Sequence, residues 1–177
     1  IVIDDGSNAE TKSVLKKLEP KITQLITQEN QGQSTARNVG IKTAKGNFIL
    51  VLDSDDYFEP SFCEEAVAVL QFNTDVKIVT SHLRRFNNAK TIDIFVPSGG
   101  DIATFVLKNG ATGSAMFRKA EALAVGGYDE SMRKGFEDWE FFIRLLKSGG
   151  TTFVIEKPLY TYRKREASTT TRANMVR

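Results

Sequence analysis

Short apolar stretches alternate with longer amphipathic stretches along the 177-residue chain, and this pattern predicts strands and helices in turn. The predicted strands are 1–3, 22–27, 48–52, 76–80, 91–96, 114–118 and 152–156, and the predicted helices are 10–18, 34–44, one that begins at residue 61, 101–108, 119–125 and 137–147. The stretch 48–52 is apolar at every position, as in strands that are covered on both faces. The pattern therefore predicts an α/β domain with a mostly parallel sheet flanked by helices.

Two helix starts carry specific capping predictions. Ser61 and Glu64 have the spacing of a capping box, in which the serine caps the helix and the glutamate bonds back to it. Ser7 is predicted to cap the helix at 10–18. The helix at 137–147 is the clearest of the six, because Trp139 begins an apolar stripe with helical spacing that Gly149 and Gly150 end.

Charge and composition exclude several classes of function. The 24 Lys and Arg residues are interspersed with 22 Asp and Glu residues, so no basic stripe indicates a nucleic-acid partner. The single cysteine, Cys63, cannot form an internal disulfide and fits a reducing compartment. The longest unbroken apolar run, at 48–52, is too short to span a bilayer. We therefore expect a cytoplasmic protein, and leave open its attachment to the inner face of the membrane and its oligomeric state.

Acidic residues follow two of the predicted strands. Asp4 and Asp5 follow the first strand, whereas Asp53, Asp55 and Asp56 follow the strand at 48–52. Ligands of open parallel sheets bind outside the carboxyl ends of the strands, and crowded carboxylates repel one another unless a cation joins them. Such oxygen ligands favour Mg²⁺ or Mn²⁺. A solvated turn or a helix N-terminus is the alternative explanation.

Taken together, the motifs resemble family-2 glycosyltransferases over nearly the whole chain. The matching segments, in order and spacing, are VIDDGS at 2–7, NQG at 30–32, ARNVG at 36–40, GNFI at 46–49, LDSDD at 52–56, GGYDE at 126–130, EDWE at 137–140 and PLYTYR at 158–163. The resemblance implies a Rossmann-like sheet of the GT-A type. It also implies inverting transfer of a sugar from a nucleotide-diphosphate donor, most simply a UDP-sugar, to a hydroxyl of a glycan or lipid-linked acceptor. The expected products are cell-surface polysaccharides or glycans.

The resemblance assigns the first acidic turn to the nucleotide. Asp4 would contact the base, whose N–H groups a carboxylate can accept. Asp5 would act as a turn or capping acid, and Gly6 would allow the backbone to turn sharply beside the ligand. Ser7 completes this nucleotide-sugar-binding set.

The second acidic turn corresponds to the family's metal site. Asp55 would bind the Mn²⁺ or Mg²⁺ that bridges the donor diphosphate, and Asp53 would contact the ribose or hold the waters of the metal. Asp56 could substitute for either. Arg37 would support the diphosphate or the acidic turn, and a structural ion pair is an equal alternative for it.

The acidic pair Glu137 and Asp138 corresponds to the family's catalytic motif. Asp138 would take the proton from the acceptor hydroxyl while that oxygen attacks the anomeric carbon. The alternative is that these acids only complement the helix dipole, as acids in a first turn do. For Trp139, core packing is the favoured role.

The resemblance also predicts the organisation of the chain. We expect a single catalytic domain over 1–177 that lacks the family's first strand and first helix ahead of Ile1. Residues 1–83 would bind the nucleotide sugar and 84–162 the acceptor, with 163–177 a mobile basic tail. Arg163, Lys164 and Arg165 in that tail could close over the diphosphate.

Two other functions remain open from the sequence. A Mg²⁺-dependent phosphohydrolase with an aspartate nucleophile also carries a DxD after a buried strand. That family expects Thr or Val where this chain has Tyr57. A non-catalytic nucleotide-sugar-binding module, which keeps the fold without turnover, is the other alternative.

Overall fold

The structure is a computed structural model that describes residues 1–87 and 90–164. The described residues form eight strands and six α-helices. The strands are β1 (Val2–Asp5), β2 (Leu25–Gln28), β3 (Phe48–Leu50), β4 (Tyr57–Phe58), β5 (Val76–Asn87), β6 (Lys90–Phe95), β7 (Met116–Arg118) and β8 (Thr151–Arg163), and the helices are α1 (Ala9–Leu18), α2 (Gln33–Thr43), α3 (Ser61–Phe72), α4 (Ile102–Leu107), α5 (Lys119–Ala124) and α6 (Glu137–Leu146). In the described part of the chain, no helix is both long and apolar enough to cross a bilayer.

The strands form two sheets. A small parallel sheet pairs β1 with β2, and a six-stranded sheet has the order β3-β7-β5-β8-β4 with β6 added to β5. In the larger sheet only β5 and β8 are parallel, and the other four pairs are antiparallel. The α/β class is confirmed, but the sheet is mixed rather than mostly parallel. An apolar run reports burial on both faces and says nothing about strand direction, which explains the difference.

Helices cover both faces of the larger sheet. On one face α3 buries Phe62, Ala66 and Leu70 against β5, β7 and β8. On the other face α6 contributes Phe141 and Phe142 to a second core that also contains residues of α2, α4 and α5. This arrangement leaves the N-terminal end of α6 next to α2, where the candidate site lies.

Helix α2 joins the two sheets. Its Gly40 lies close enough to β1 that an added Cβ would stand 3.7 Å from Ile3 Cγ1. Its Ile41 packs in the same core cluster as Ile49 of β3. Within the described residues β1 pairs only with β2 and β3 only with β7, so α2 contacts two sheets that share no strand pairing.

Several element boundaries differ from the predicted ones. β8 continues for 13 residues through Pro158, where the pairing with β5 shifts register around His82 and accommodates the missing proline donor. The capping predictions were wrong in detail. Pro60, not Ser61, precedes α3 and forms no side-chain cap, whereas Asn8 rather than Ser7 caps α1 by accepting the Thr11 N–H at 2.9 Å. The short strand β4 was not predicted, because two residues carry no measurable period.

The turn after β1 requires glycine. Gly6 has φ +75°, and a Cβ there would lie 2.8 Å from the backbone N of Asn30. Gly126 has a similar φ of +89° but no atom within 4 Å of its added Cβ. The two glycines share the backbone requirement and differ in the available space.

We therefore expect Gly6→Ala to be more destabilising than its matched control Gly126→Ala. The control should lower the free energy of unfolding by about 1–2 kcal/mol, the cost of a left-handed non-glycine residue. Gly6→Ala should cost about 1–3 kcal/mol more, because the Asn30 backbone must move. Urea unfolding of both variants measures the difference, and equal losses would show that the contact with Asn30 is unimportant.

Candidate active site

The first acidic turn is built by its own hydrogen bonds. Asp4 is 3% exposed and its Oδ1 accepts the Ser7 N–H at 2.9 Å. The hydroxyl and the N–H of Ser7 lower the pKa of Asp4, so it is ionised. Asp4 thus shapes the turn around Gly6, and its contact with a base stays a prediction.

Asp5 links this turn to α2. Its Oδ1 accepts the N–H of Gln31 at 2.9 Å and its Oδ2 accepts the N–H of Gly32 at 2.8 Å. Gly32 immediately precedes α2, so Asp5 holds the turn before that helix, and its place in the nucleotide-sugar-binding set stays a prediction. The first acidic turn therefore fixes where α2 begins, and α2 carries Arg37.

The second acidic turn follows β3. The Asp56 N–H bonds to the Asp53 carbonyl at 3.1 Å, which closes the turn. Asp56 accepts the Arg163 N–H at 2.7 Å and the hydroxyl of Tyr160, and burial raises the pKa of its carboxyl. Both carboxylate oxygens of Asp56 accept hydrogen bonds from residues of β8. The structure therefore does not favour the prediction that Asp56 substitutes for Asp53 or Asp55.

Arg37 connects the two acidic motifs. Its Nη2 lies 2.9 Å from Asp53 Oδ1 and its Nη1 lies 2.8 Å from Glu137 Oε1. The guanidinium carbon also lies 5.3 Å from the centre of the Tyr128 ring. Burial opposes its charge, but the neighbouring Asp53, Tyr128 and Glu137 raise the pKa of Arg37, so it stays charged. The guanidinium holds together carboxylates that are 84 positions apart along the chain.

Glu137 is buried and ion-paired at the start of α6. Its side chain is 5% exposed, and its Oε1 accepts from both Arg37 and Gln33. A buried carboxylate in an ion pair is poorly placed to meet a substrate. The contacts of Glu137 tie the start of α6 to α2, and its part in the predicted catalytic pair stays a prediction.

Asp138 has a different environment. It is partly buried, and its Oδ2 accepts a hydrogen bond from Asn109 Nδ2 at 3.0 Å. Burial, followed by the adjacent charge of Glu137, raises the pKa of Asp138, while Arg37 opposes the rise. A carboxylate with a raised pKa binds a proton more strongly, which suits a general base. Sequence reasoning did not find Asn109, since no local pattern connects it with residue 138.

The residue before α6 is strained. Phe136 has φ +66°, the only positive value among non-glycine residues that the structure describes, and Gly135 before it has φ +108°. Such conformations cost energy in a bulky residue and are concentrated at functional sites. The turn they form sets the direction in which Glu137 and Asp138 leave the loop.

Two further predictions concern the periphery of the site. Trp139 packs against the core and donates its Nε1–H to the Phe105 carbonyl at 2.6 Å, which confirms the packing role. Arg163 belongs to β8, and its guanidinium lies over the Phe86 ring, 5.3 Å from the centroid. The proposed clamp also involved Arg165, and the tail from 165 to 177 lies outside the described residues.

Comparison with known proteins places this geometry in a class. The crystal structure of Staphylococcus aureus TarS 1–349 in complex with UDP-GlcNAc matches with a TM-score of 0.75 and 21% identity, covering 96% of this chain and 50% of that chain. An uncharacterized glycosyltransferase of Haemophilus influenzae is 30% identical over 166 residues, or 90% of this chain and 56% of that protein. The putative glycosyltransferase EpsH of Bacillus subtilis is 34% identical over 96 residues, which cover 52% of this chain and 28% of EpsH.

The likeness to TarS establishes a glycosyltransferase fold of the GT-A type. The profile of the family described as Glycosyl transferase family 2 matches residues 1–120, well over half of the chain. The chain therefore belongs to glycosyl transferase family 2. It spans about half the length of the Haemophilus relative.

Proposed function

We propose that this chain carries the donor site and the catalytic base of an inverting, metal-dependent glycosyltransferase that uses a UDP-sugar. The acceptor would be a hydroxyl of a glycan or of a lipid-linked glycan, in polysaccharide biosynthesis. The observation that carries the proposal is the Arg37 bridge, because it brings the DxD acid Asp53 and the helix of Asp138 to one place. Family membership and the UDP-GlcNAc complex of TarS support the choice of donor.

The chemistry assigned to the site is a single displacement. Asp138 accepts the proton of the acceptor hydroxyl as the hydroxyl oxygen attacks the anomeric carbon from the face opposite the nucleotide, and the bond from that carbon to the UDP oxygen breaks so that UDP leaves with the electron pair. One displacement inverts the configuration of that carbon. Arg37 holds Asp53 and the start of α6 in register, so that donor and base face the same space.

Asp53 and Asp55 are the residues proposed to hold the Mn²⁺ or Mg²⁺ implied by the family. Among residues 1–87 and 90–164 there is no group of three or more His, Cys, Asp or Glu side chains fit to enclose a metal. Mg²⁺ commonly takes only one or two carboxylates and completes its shell with water and substrate phosphates. The two aspartates fit an ion of that kind, and it would neutralise charge on the departing diphosphate.

Calorimetry on the natural full-length protein tests the donor site. We expect UDP to bind at least tenfold more tightly with Mn²⁺ present than with EDTA, because the protein supplies too few ligands alone and the diphosphate supplies the rest. Mn²⁺ without UDP should bind weakly. Asp55→Asn should remove most of the gain from metal, whereas Asp75→Asn, on an exposed turn, should not change it. Failure of UDP to bind with Mn²⁺ would refute the donor-site proposal.

The phosphohydrolase alternative is disfavoured by two observations. The chain belongs to a glycosyltransferase family, and the oxygen of the first aspartate in the DxD is ion-paired with Arg37 instead of being presented as a nucleophile. A non-catalytic binding module would show no loss of turnover in Asp138→Asn, because it has no turnover to lose.

The proposed halves of the domain meet at this site. Arg37 lies in the nucleotide-binding portion 1–83 and Glu137 in the acceptor-binding portion 84–162, and their ion pair joins the two.

A further inference from the structure

The loop between α4 and β7 is held rigidly beside the candidate base. The Gly99 N–H bonds to the Gly110 carbonyl at 2.9 Å. A Cβ on Gly110 would stand 2.4 Å from the Gly99 carbonyl oxygen and 2.7 Å from the Phe105 ring, so only glycine fits. From α6, Trp139 bonds to the carbonyl of that same Phe105. The loop and the start of α6 therefore form one packed unit.

This loop fixes the orientation of the Asn109 amide. The Asn109 Oδ1 accepts a hydrogen bond from the Ala111 N–H at 3.3 Å, so the oxygen end of the amide faces the loop backbone. The Nδ2 group consequently points to Asp138 and donates to Oδ2 at 3.0 Å. Because the acceptor end is held by backbone, the amide cannot turn over without losing both hydrogen bonds.

The same loop contacts the Asp138 carboxylate at a second point. A Cβ on Gly113 would lie 3.3 Å from Asp138 Oδ2 and 3.6 Å from Asp138 Cβ, so the carboxylate rests against bare backbone. Asn109 thus bonds to Oδ2, and the missing side chain of Gly113 leaves room for that same oxygen. The Trp139 N–H is a further hydrogen-bond donor to this carboxylate, so loop and helix fix its orientation together.

Other charged and polar groups face Asp138 from the neighbouring elements. Glu137 on α6 raises the pKa of the Asp138 carboxyl, whereas Arg37 on α2, the Trp139 N–H and Asn109 lower it. Tyr128 lies near enough that the charge of Asp138 helps to raise the pKa of the Tyr128 hydroxyl, which burial raises most. Among these groups Asn109 is the neutral side chain that bonds the carboxylate directly, so replacing it changes the local hydrogen bonding and leaves the net charge unaltered.

We propose that Asn109 is a positioning residue for the base, holding Oδ2 of Asp138 so that the second carboxylate oxygen takes the acceptor proton. The proposal rests on the function assigned to Asp138 above. It predicts that Asn109 acts on both the orientation and the ionisation of the base. A residue that only supported the fold would affect neither selectively.

The test is the pH dependence of Asn109→Ala in the natural full-length protein. Turnover is followed as UDP release from UDP-GlcNAc and a panel of other UDP-sugars with Mn²⁺, and the Asp138 carboxyl is followed by ¹³C NMR. The base works only when ionised, so activity falls as the pH drops through its pKa. Removing a donor that stabilises the ionised form raises that pKa, and we expect the acid limb and the NMR midpoint to move up by about one pH unit. At a pH well below that limb the variant should lose about tenfold more activity than on the plateau.

Two other variants complete the design. Asn109→Asp has the same shape but replaces the donor with a second carboxylate, so it should raise the midpoint further. Lys108→Ala, at the exposed neighbouring position, is the matched control and should leave profile and midpoint unchanged. Circular dichroism establishes that each variant is folded, and Asn109→Asp provides the test if Asn109→Ala does not fold.

The outcomes separate the two proposals. An equal loss of rate at every pH, with an unmoved Asp138 midpoint, would overturn the role of Asn109 while Asp138 keeps its own. Full activity of Asp138→Asn would overturn the proposed function itself, whatever the Asn109 variants do.

Discussion

Replacing Asp138 by asparagine is expected to lower sugar transfer by a factor of about 10²–10⁴, the usual contribution of a general base. The amide has nearly the same shape, so the packing against Gly113 is retained, but it cannot accept the proton of the acceptor hydroxyl. UDP binding in the presence of Mn²⁺ should stay within about twofold, because the side-chain partner of Asp138 is Asn109, which lies outside the acidic turn at 53–56. Loss of turnover with retained binding is the signature of an interaction made during the reaction.

The matched control for this variant is Glu140→Gln. Glu140 lies on the same helix, is ion-paired with Arg144 at 2.6 Å and is 34% exposed. Glu140→Gln therefore removes one negative charge from the helix, as Asp138→Asn does, but should leave the base unaffected. UDP release from UDP-sugars measures turnover, and calorimetry measures donor binding. If both variants turn over at the unaltered rate, or if the unaltered protein binds UDP and never turns over a sugar donor, the non-catalytic module becomes the better description.

The hydrophobic pattern predicted most helices and strands of this fold, because the buried face of each one places apolar residues at regular spacing along the sequence. Of the fourteen helices and strands in the described residues, thirteen have a predicted counterpart, and the two-residue β4 has none. Strand direction was not predictable from the run at 48–52, because two-faced burial is the same for a parallel and an antiparallel strand. The length of β5 and β8 also exceeds the predicted strands, since their distal residues pair with each other and with β4 and β6 in contacts remote in sequence.

The candidate site was likewise predicted only in part from the sequence. Asp53 and Asp138 were found because each belongs to a compact motif. Their hydrogen-bonding partners were harder to predict. For Arg37, which pairs with Asp53, the sequence allowed either a phosphate contact or an ion pair. For Asn109, which bonds to Asp138, no sequence motif indicated a role. Hydrogen bonds between residues 29 or 100 positions apart depend on how helices and loops pack, and one sequence without an alignment contains no record of that packing.

Replacing Arg37 by methionine should have the largest effect on stability. Methionine keeps the apolar stem but leaves Glu137, 5% exposed, without its cation, and an unpaired buried charge costs about 3–5 kcal/mol. The matched control is Arg84→Met, because Arg84 lies 3.5 Å from Glu59 with 32% and 41% of the two side chains exposed. Such an exposed pair contributes about 0–1 kcal/mol. Urea unfolding of both variants gives the comparison, and equal losses would show that the Arg37 bridge does not stabilise the fold.

The double variant Arg37→Met/Glu137→Gln separates stability from catalysis. Removing both charges eliminates the unpaired carboxylate, so much of the lost stability should return, and a coupling free energy of about 1–3 kcal/mol should appear in the cycle with the single variants. Turnover should stay low, because Asp53 is no longer tied to the helix that carries Asp138. If stability and turnover recover together, Arg37 acts only by neutralising Glu137. If stability alone recovers, Arg37 holds the donor-binding turn and the base in register.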